Sequence, residues 1–274
     1  MDLDVMFSDF HHHLKEVIQQ EPTHSDAILS KEDVNCLLSE DSVQSVSVEY
    51  KGITGYPTHP LYKRIGDVFL SWIKTGHCPL LDLRDYDLLD EKLYKENRAG
   101  TICTINPQLE GFISLWDFWV DGEKQYKIRE IFKLLGKRGL LEMLGLRKTV
   151  GTVDSWPPPR SLLEQTFQDK HKENVGLTVG ARALAKHGHR DMSATWWGLS
   201  TGNEAAKNQH AYRKMTEILD NATWINIHQL PHDIHIIECR MCEGYGVRWT
   251  KDGSSFRGFL EPQMEDGHDV GWRH

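Results

Sequence analysis

The sequence predicts an α+β fold: a helical N-terminal half followed by a C-terminal small antiparallel β-sheet of three to four strands packed on helices. Three observations carry this. Apolar residues recur at helical spacing through residues 57–146 and again through 160–220. After Asn221 the pattern changes to short runs that alternate apolar and polar residues. Between the halves stands Ser155-Trp-Pro-Pro-Pro159, whose three prolines exclude helix interior and stiffen the chain toward an extended form. The chain therefore divides into a loosely ordered segment at 1–57, a helical region at 58–152 and an α+β region at 159–274 that carries the candidate site.

In the first segment, Phe7, Phe10, Leu14, Val17 and Ile18 predict one amphipathic helix. Residues 30–47 are polar and acidic and read as a linker or a partly disordered stretch. Val46, Val48 and Tyr50 alternate as in a short edge strand. The run His11-His12-His13 points three ways on a helix, so its side chains do not converge on one ion and read as a solvated face. Three stripes follow in the helical region. Leu61, Ile65, Val68, Phe69 and Ile73 end at Gly76. Leu109, Phe112, Ile113, Trp116, Trp119 and Val120 cover so wide an arc that a well-buried helix is expected. Tyr126, Ile128, Ile131, Phe132 and Leu135 form the third, with residues 140–146 continuing as a short helix. Beyond the prolines, Leu162, Leu163, Thr166 and Phe167 share a helical face. Gly176, Gly180, Ala181 and Ala185 then mark a helix against which another backbone can pack closely. Thr201 with Glu204 has capping-box spacing and predicts a helix to about Asp220, with Asn208, Ala211, Tyr212, Met215, Ile218 and Leu219 on its buried side.

Composition bounds the function. The 274 residues are 39% hydrophobic and 26% charged, as in a globular protein, and the net charge of −8 argues against whole-molecule attraction to nucleic acid or anionic membrane. Anion binding then requires a local basic patch. No apolar run approaches the ~20 residues of a membrane span, and the first residues are acidic where a targeting peptide is basic. Five scattered cysteines do not form a disulfide framework. The expectation is a reducing compartment, cytoplasmic or nuclear.

Alternation along 236–240, 245–249 and 256–261 sorts the β-runs into two faces. Ile237, Cys239, Val247, Trp249, Phe256 and Leu260 form a core face, while Glu238, Arg240, Arg248, Arg257 and Glu261 form a polar floor. A floor with arginine to the exclusion of lysine suits an oxyanion, because the guanidinium presents a fixed fork to phosphate or carboxylate. The competing reading is a solvent-facing ladder of ion pairs. Histidines cluster in the same half, and His187, His189 and His228, with Glu238 or Glu261, are the candidate acids and bases. Lys186, Arg190 and Asn226 are the candidate positioning groups beside Arg240, Arg248 and Arg257.

Metal chemistry divides in two. His187-x-His189 has the spacing of a two-ligand segment, and a divalent metal held by histidine and carboxylate stays open. The run Cys239-Arg-Met-Cys242-Glu-Gly244-Tyr-Gly246 resembles the zinc repeats of DnaJ-type chaperones, but one copy leaves a four-thiolate site without ligands. His235 and Cys239 on a regular strand would stand ~13 Å apart. Structural zinc is therefore disfavoured, and Glu243-Gly-Tyr-Gly246 reads as a hairpin turn.

Phosphate-loop, dinucleotide-binding, nucleophile-elbow and His-Glu-x-x-His signatures are absent from the sequence. Two readings follow. One is an enzyme acting on an anionic substrate, bearing phosphate or carboxylate, with phosphoester or nucleic-acid-end chemistry. An Arg/Glu/His set on an antiparallel sheet resembles that of metal-independent ribonucleases in its chemistry. The other is a non-enzymatic binding module for an anionic ligand or protein partner, with Trp196, Trp197, Trp249 and Trp272 as stacking surfaces. No membrane partner is expected, and the sequence names no protein partner.

Overall fold

The computed structural model describes residues 3–41, 53–83, 86, 91–187 and 196–262. Helices α1 (Leu3–Gln20), α2 (Lys31–Leu38), α3 (Leu61–Thr75), α4 (Glu91–Leu109), α5 (Phe112–Leu115) and α6 (Asp121–Met143) build the N-terminal half. Helices α7 (Arg160–Phe167), α8 (Val179–His187) and α9 (Glu204–Asp220) precede strands β1 (Trp224–Leu230), β2 (Ile234–Arg240), β3 (Gly246–Thr250) and β4 (Phe256–Leu260). The strands form one antiparallel meander in the order β1-β2-β3-β4. The α+β class and the four-stranded sheet are as the residues predict.

Within the first segment, residues 3–41 hold more order than their polarity suggests. Met6, Phe10, Leu14, Val17 and Ile18 of α1 are buried, and α1 packs on α3 and α6. In the stretch read as a linker, Ser30 caps α2 by accepting from the Asp33 amide at 3.1 Å. Asp33 then accepts from Lys137 at 2.6 Å and from the Trp156 indole at 2.7 Å. One carboxylate thus ties α2 to α6 and to the proline segment, a long-range partnership that local polarity does not reveal. His13 also departs from expectation: it is buried, with Asp9 and Glu16 each 3.4 Å away. The alternating residues 46–50 lie outside the described residues.

The third and first stripes form α6 and α3, and Gly76 ends α3 at φ +68°. The wide stripe at 109–120 does not make one buried helix. Gly111, at φ +73°, breaks it, and a short 3₁₀ turn at Trp116–Phe118 follows α5. Phe112 and Trp116 are buried and stacked, whereas Phe118 is 80% exposed.

In the second half, Gly180 permits a close approach: a Cβ there would meet the Phe167 ring at 2.1 Å. Phe167 in turn packs edge-on against Phe256 and Phe259. Gly180→Ala is expected to cost about 1–3 kcal/mol through overpacking, read as a lower urea midpoint; an unchanged midpoint would show that Phe167 can move aside. Helix α9 starts two residues later than the predicted capping box. Asn203, rather than Thr201, accepts from the Ala206 amide at 2.9 Å, and Glu204 instead accepts from Gly176 at 2.8 Å, at the approach to α8.

The sheet presents its apolar face to α7, α8 and α9. Ile225, Ile227, Ile237, Cys239, Val247, Trp249, Phe256 and Phe259 are buried. The register pairs Trp249 with Phe256 but Val247 with Phe259, so Arg257 is the extra residue of a β-bulge. That bulge corrects the expected faces of β4. Phe259 joins the core in place of Leu260, and Glu261 follows Phe259 off the polar floor. Residues 146–153 run beside β1, where Arg147 donates its amide to Ile225 at 2.7 Å and Val153 to Ile227 at 2.8 Å. This segment joins the halves, and a single core cluster extends from Met6 to Phe259.

Candidate active site on the polar face of the sheet

Strand pairing gathers the floor. Asn226 stands opposite Glu238, and Glu238 opposite Arg248. His228 lies on the same face of β1, two residues beyond Asn226. Glu238 is the centre: its Oε1 accepts from Arg240 Nε at 2.6 Å, while its Oε2 lies 3.5 Å from Arg248 Nη2 and 3.6 Å from His228 Nε2.

Burial would raise the Glu238 carboxyl's pKa, but the His228 ring and the two guanidiniums outweigh it and hold the group at about 2. Glu238 is therefore ionised at neutral pH and binds protons weakly, which makes it an orienting carboxylate rather than a proton carrier. The sign follows from the depressed value. Its contribution to stability is present above the ordinary pKa of 4.5 and is lost as pH falls toward 2. That contribution is on the order of 3 kcal/mol. Glu238→Gln is expected to flatten stability against pH across that window, as followed by denaturant midpoints; an unaltered curve would contradict the assignment.

Arg248 differs from its neighbours. Burial lowers its pKa, Arg240 and Arg257 push the same way, and Glu238 opposes them. Its Nε is buried with no hydrogen-bond partner among the described residues, and its side chain is 27% exposed. His228 Nε2 likewise has no hydrogen-bond partner among them. Although those two unpaired atoms are buried, the side chains that carry them are 27% and 18% exposed, so Arg248 and His228 are partly open beside Glu238.

The other candidates fall elsewhere. Arg240 is held internally, since its Nη1 donates to the carbonyls of Gly244 at 2.7 Å and Glu261 at 2.9 Å, pinning the turn and the end of β4. Asn226 is fully buried: it donates to Thr149 Oγ1 at 2.9 Å and accepts from Thr152 Oγ1 at 3.0 Å. Arg257 projects from the bulge and is exposed. His187 and Glu261 pair with each other at 2.6 Å, and Glu261 also accepts from the Trp197 indole at 2.7 Å. Both partners pack by Phe259, on the apolar side of the sheet, so they do not join Glu238. Lys186 is exposed at the end of α8. His189, Arg190 and Trp272 lie outside the described residues.

The proposed stacking tryptophans are largely engaged. Trp196 lies on Tyr245 with ring centroids 4.2 Å apart, and Lys214 Nζ stands 4.0 Å from the Trp196 centroid. Trp197 and Trp249 are buried. Sequence reasoning overlooked Thr149 and Thr152, a wall from the other half, and Trp224 at the start of β1, whose ring lies 6.3 Å from His228. Thr-Val-Gly-Thr, with Gly151 at φ +83°, was the available signal.

Cys239 lies on the core side of β2, where burial pushes its thiol up, while Cys242 is exposed in the turn. His235 and Cys239 share the regular strand β2. Among the described residues no three His, Cys, Asp or Glu side chains are grouped to hold one ion, and no helix is long and apolar enough to cross a membrane. Gly244 takes φ +93° in the hairpin turn.

No curated protein matches the chain. A solved structure, the toxic C-terminal tip of CdiA from Pseudomonas aeruginosa in complex with an immune protein, is similar at 30% identity. The match covers 35% of this chain and 99% of that one, with a TM-score of 0.31. Residues 167–261, from the end of α7 through the whole sheet and its floor, match the family model of the CdiA C-terminal tRNase toxin domain.

Proposed function

We propose that the C-terminal half is a ribonuclease that cleaves tRNA at the polar face of the sheet. The observation that carries this is the pairing of His228 and Arg248 around one ionised carboxylate: Glu238 Oε2 stands 3.6 and 3.5 Å from them. The tRNase family model covering that same segment supports it. In this reading Arg248 takes a non-bridging phosphate oxygen and neutralises charge as it develops. His228, held by Glu238, removes the proton from the ribose 2′-hydroxyl. The 2′-oxygen attacks phosphorus, the bond from phosphorus to the 5′-oxygen breaks, and that oxygen takes a proton from water. The products are a 2′,3′-cyclic phosphate and a 5′-hydroxyl. Arg257 draws the RNA backbone toward the floor, a local basic patch on a chain of net charge −8.

The test is to incubate the full chain with total tRNA, with single-stranded DNA of matched length and with EDTA. Cleavage of tRNA in EDTA, leaving cyclic phosphate ends and intact DNA, is the expected result. DNA cleaved as readily as RNA would contradict attack by the 2′-oxygen. Cleavage only with added divalent metal would transfer the chemistry to a metal site.

A further inference from the structure

A second polar site lies in the N-terminal half, apart from the floor. A cavity of about 280 Å³ opens between α4 and α6, close to the lower end of the size range of small-molecule pockets. Its charged lining consists of Arg98, Arg138, Lys148 and Glu142. Three cations thus face one carboxylate.

Glu142 does not satisfy them all. It accepts from Arg98 Nε at 2.7 Å and lies 3.3 Å from Arg138 Nε. Arg138 Nη1 and Nη2 donate to Asp154 at 2.9 Å and to the Leu146 carbonyl at 2.7 Å, while its Nε faces Glu142 without a hydrogen bond among the described residues. Arg98 is not completed: only 5% of the residue is exposed, and its Nη1 is buried without a hydrogen-bond partner among the described residues. Lys148 has a ring rather than a carboxylate beside it, with its Nζ 4.8 Å from the Tyr94 centroid. A buried guanidinium nitrogen without an acceptor is costly, and an oxyanion is the group that satisfies it. Leu80, Ile102 and Leu135 supply apolar wall, so the ligand needs an apolar body as well as a charged head.

We propose that this cavity binds a small molecule carrying one oxyanion group, a carboxylate or a phosphate monoester, on a compact apolar body. Arg98 and Lys148 hold the oxyanion, while Tyr94 and Ile102 face the body. The site is independent of the sheet floor, because it is built from the helical half and from Lys148.

Calorimetric titration of the full chain with benzoate and with phenyl phosphate tests this, benzyl alcohol serving as the neutral control. Saturable one-to-one binding of at least one anion, and none of the alcohol, is expected; which anion binds identifies the head group. Lys148→Gln should weaken binding about tenfold. Thr101→Phe, which fills the lining without changing charge, should abolish it, and Arg248→Ala should leave it unchanged. Arg98→Gln should also abolish binding, and the variants at partly exposed Lys148 and Thr101 preserve the test if Arg98→Gln fails to fold. Absence of binding by both anions overturns the proposal, as does equal binding in wild type, Lys148→Gln and Thr101→Phe.

Discussion

His228→Ala is expected to slow tRNA cleavage by about a hundredfold to ten-thousandfold, the range of a positioned general acid or base. The fold should survive. His228 is partly exposed, and without its ring Glu238 still keeps Arg240 Nε at 2.6 Å, so the carboxylate loses part of its charge compensation but is not stranded. Arg248→Ala should cut the rate on a similar scale, and Arg248→Lys should restore little of it, because an ammonium lacks the planar fork. Glu238→Gln should reduce the rate less than His228→Ala, since Glu238 orients the ring and carries no proton in the reaction. His187→Ala provides the contrast. That ring pairs with Glu261 on the apolar side of the sheet, and its loss should appear first in stability. A His187→Ala chain that folds normally yet loses all cleavage would relocate the chemistry to the end of α8.

The second large effect concerns the joint between the halves. Arg147 is 0% exposed and Glu91 1%, with Arg147 Nη2 2.5 Å from Glu91 Oε1. Glu91 also accepts from the Tyr86 amide at 3.0 Å, and the Arg147 amide donates to Ile225 of β1. Glu91→Leu leaves a guanidinium buried without this carboxylate, and a loss of about 3–5 kcal/mol is expected. Urea unfolding measures it. Joining Arg147→Met to Glu91→Leu should recover much of the loss, because the pair together is worth less than one partner stranded. A Glu91→Leu chain with the wild-type midpoint would show that other groups compensate Arg147.

Strand alternation was readable wherever the strand was regular. On β2 it placed Glu238 and Arg240 on one face and Ile237 and Cys239 on the other, as the register shows. It failed on β4, where a bulge at Arg257 reverses the phase and carries Glu261 toward His187. Alternation has a period of two, and one extra residue inverts everything after it. Helical periodicity was similarly reliable for α3 and α6. At 109–120 it failed because Gly111 redirects the backbone while the apolar spacing continues.

By itself, then, the sequence determined the class of the fold, the meander and the residue types on its floor, because periodicity is a local property of the chain. Only the tertiary structure decided which charged groups remain open to a ligand. Arg240 is held by the Gly244 and Glu261 carbonyls and Asn226 by two threonines from the other half, which leaves His228 and Arg248 around Glu238. The physical reason is that a polar group's availability depends on partners distant in sequence. A buried donor or acceptor takes whichever complementary group the fold brings within reach.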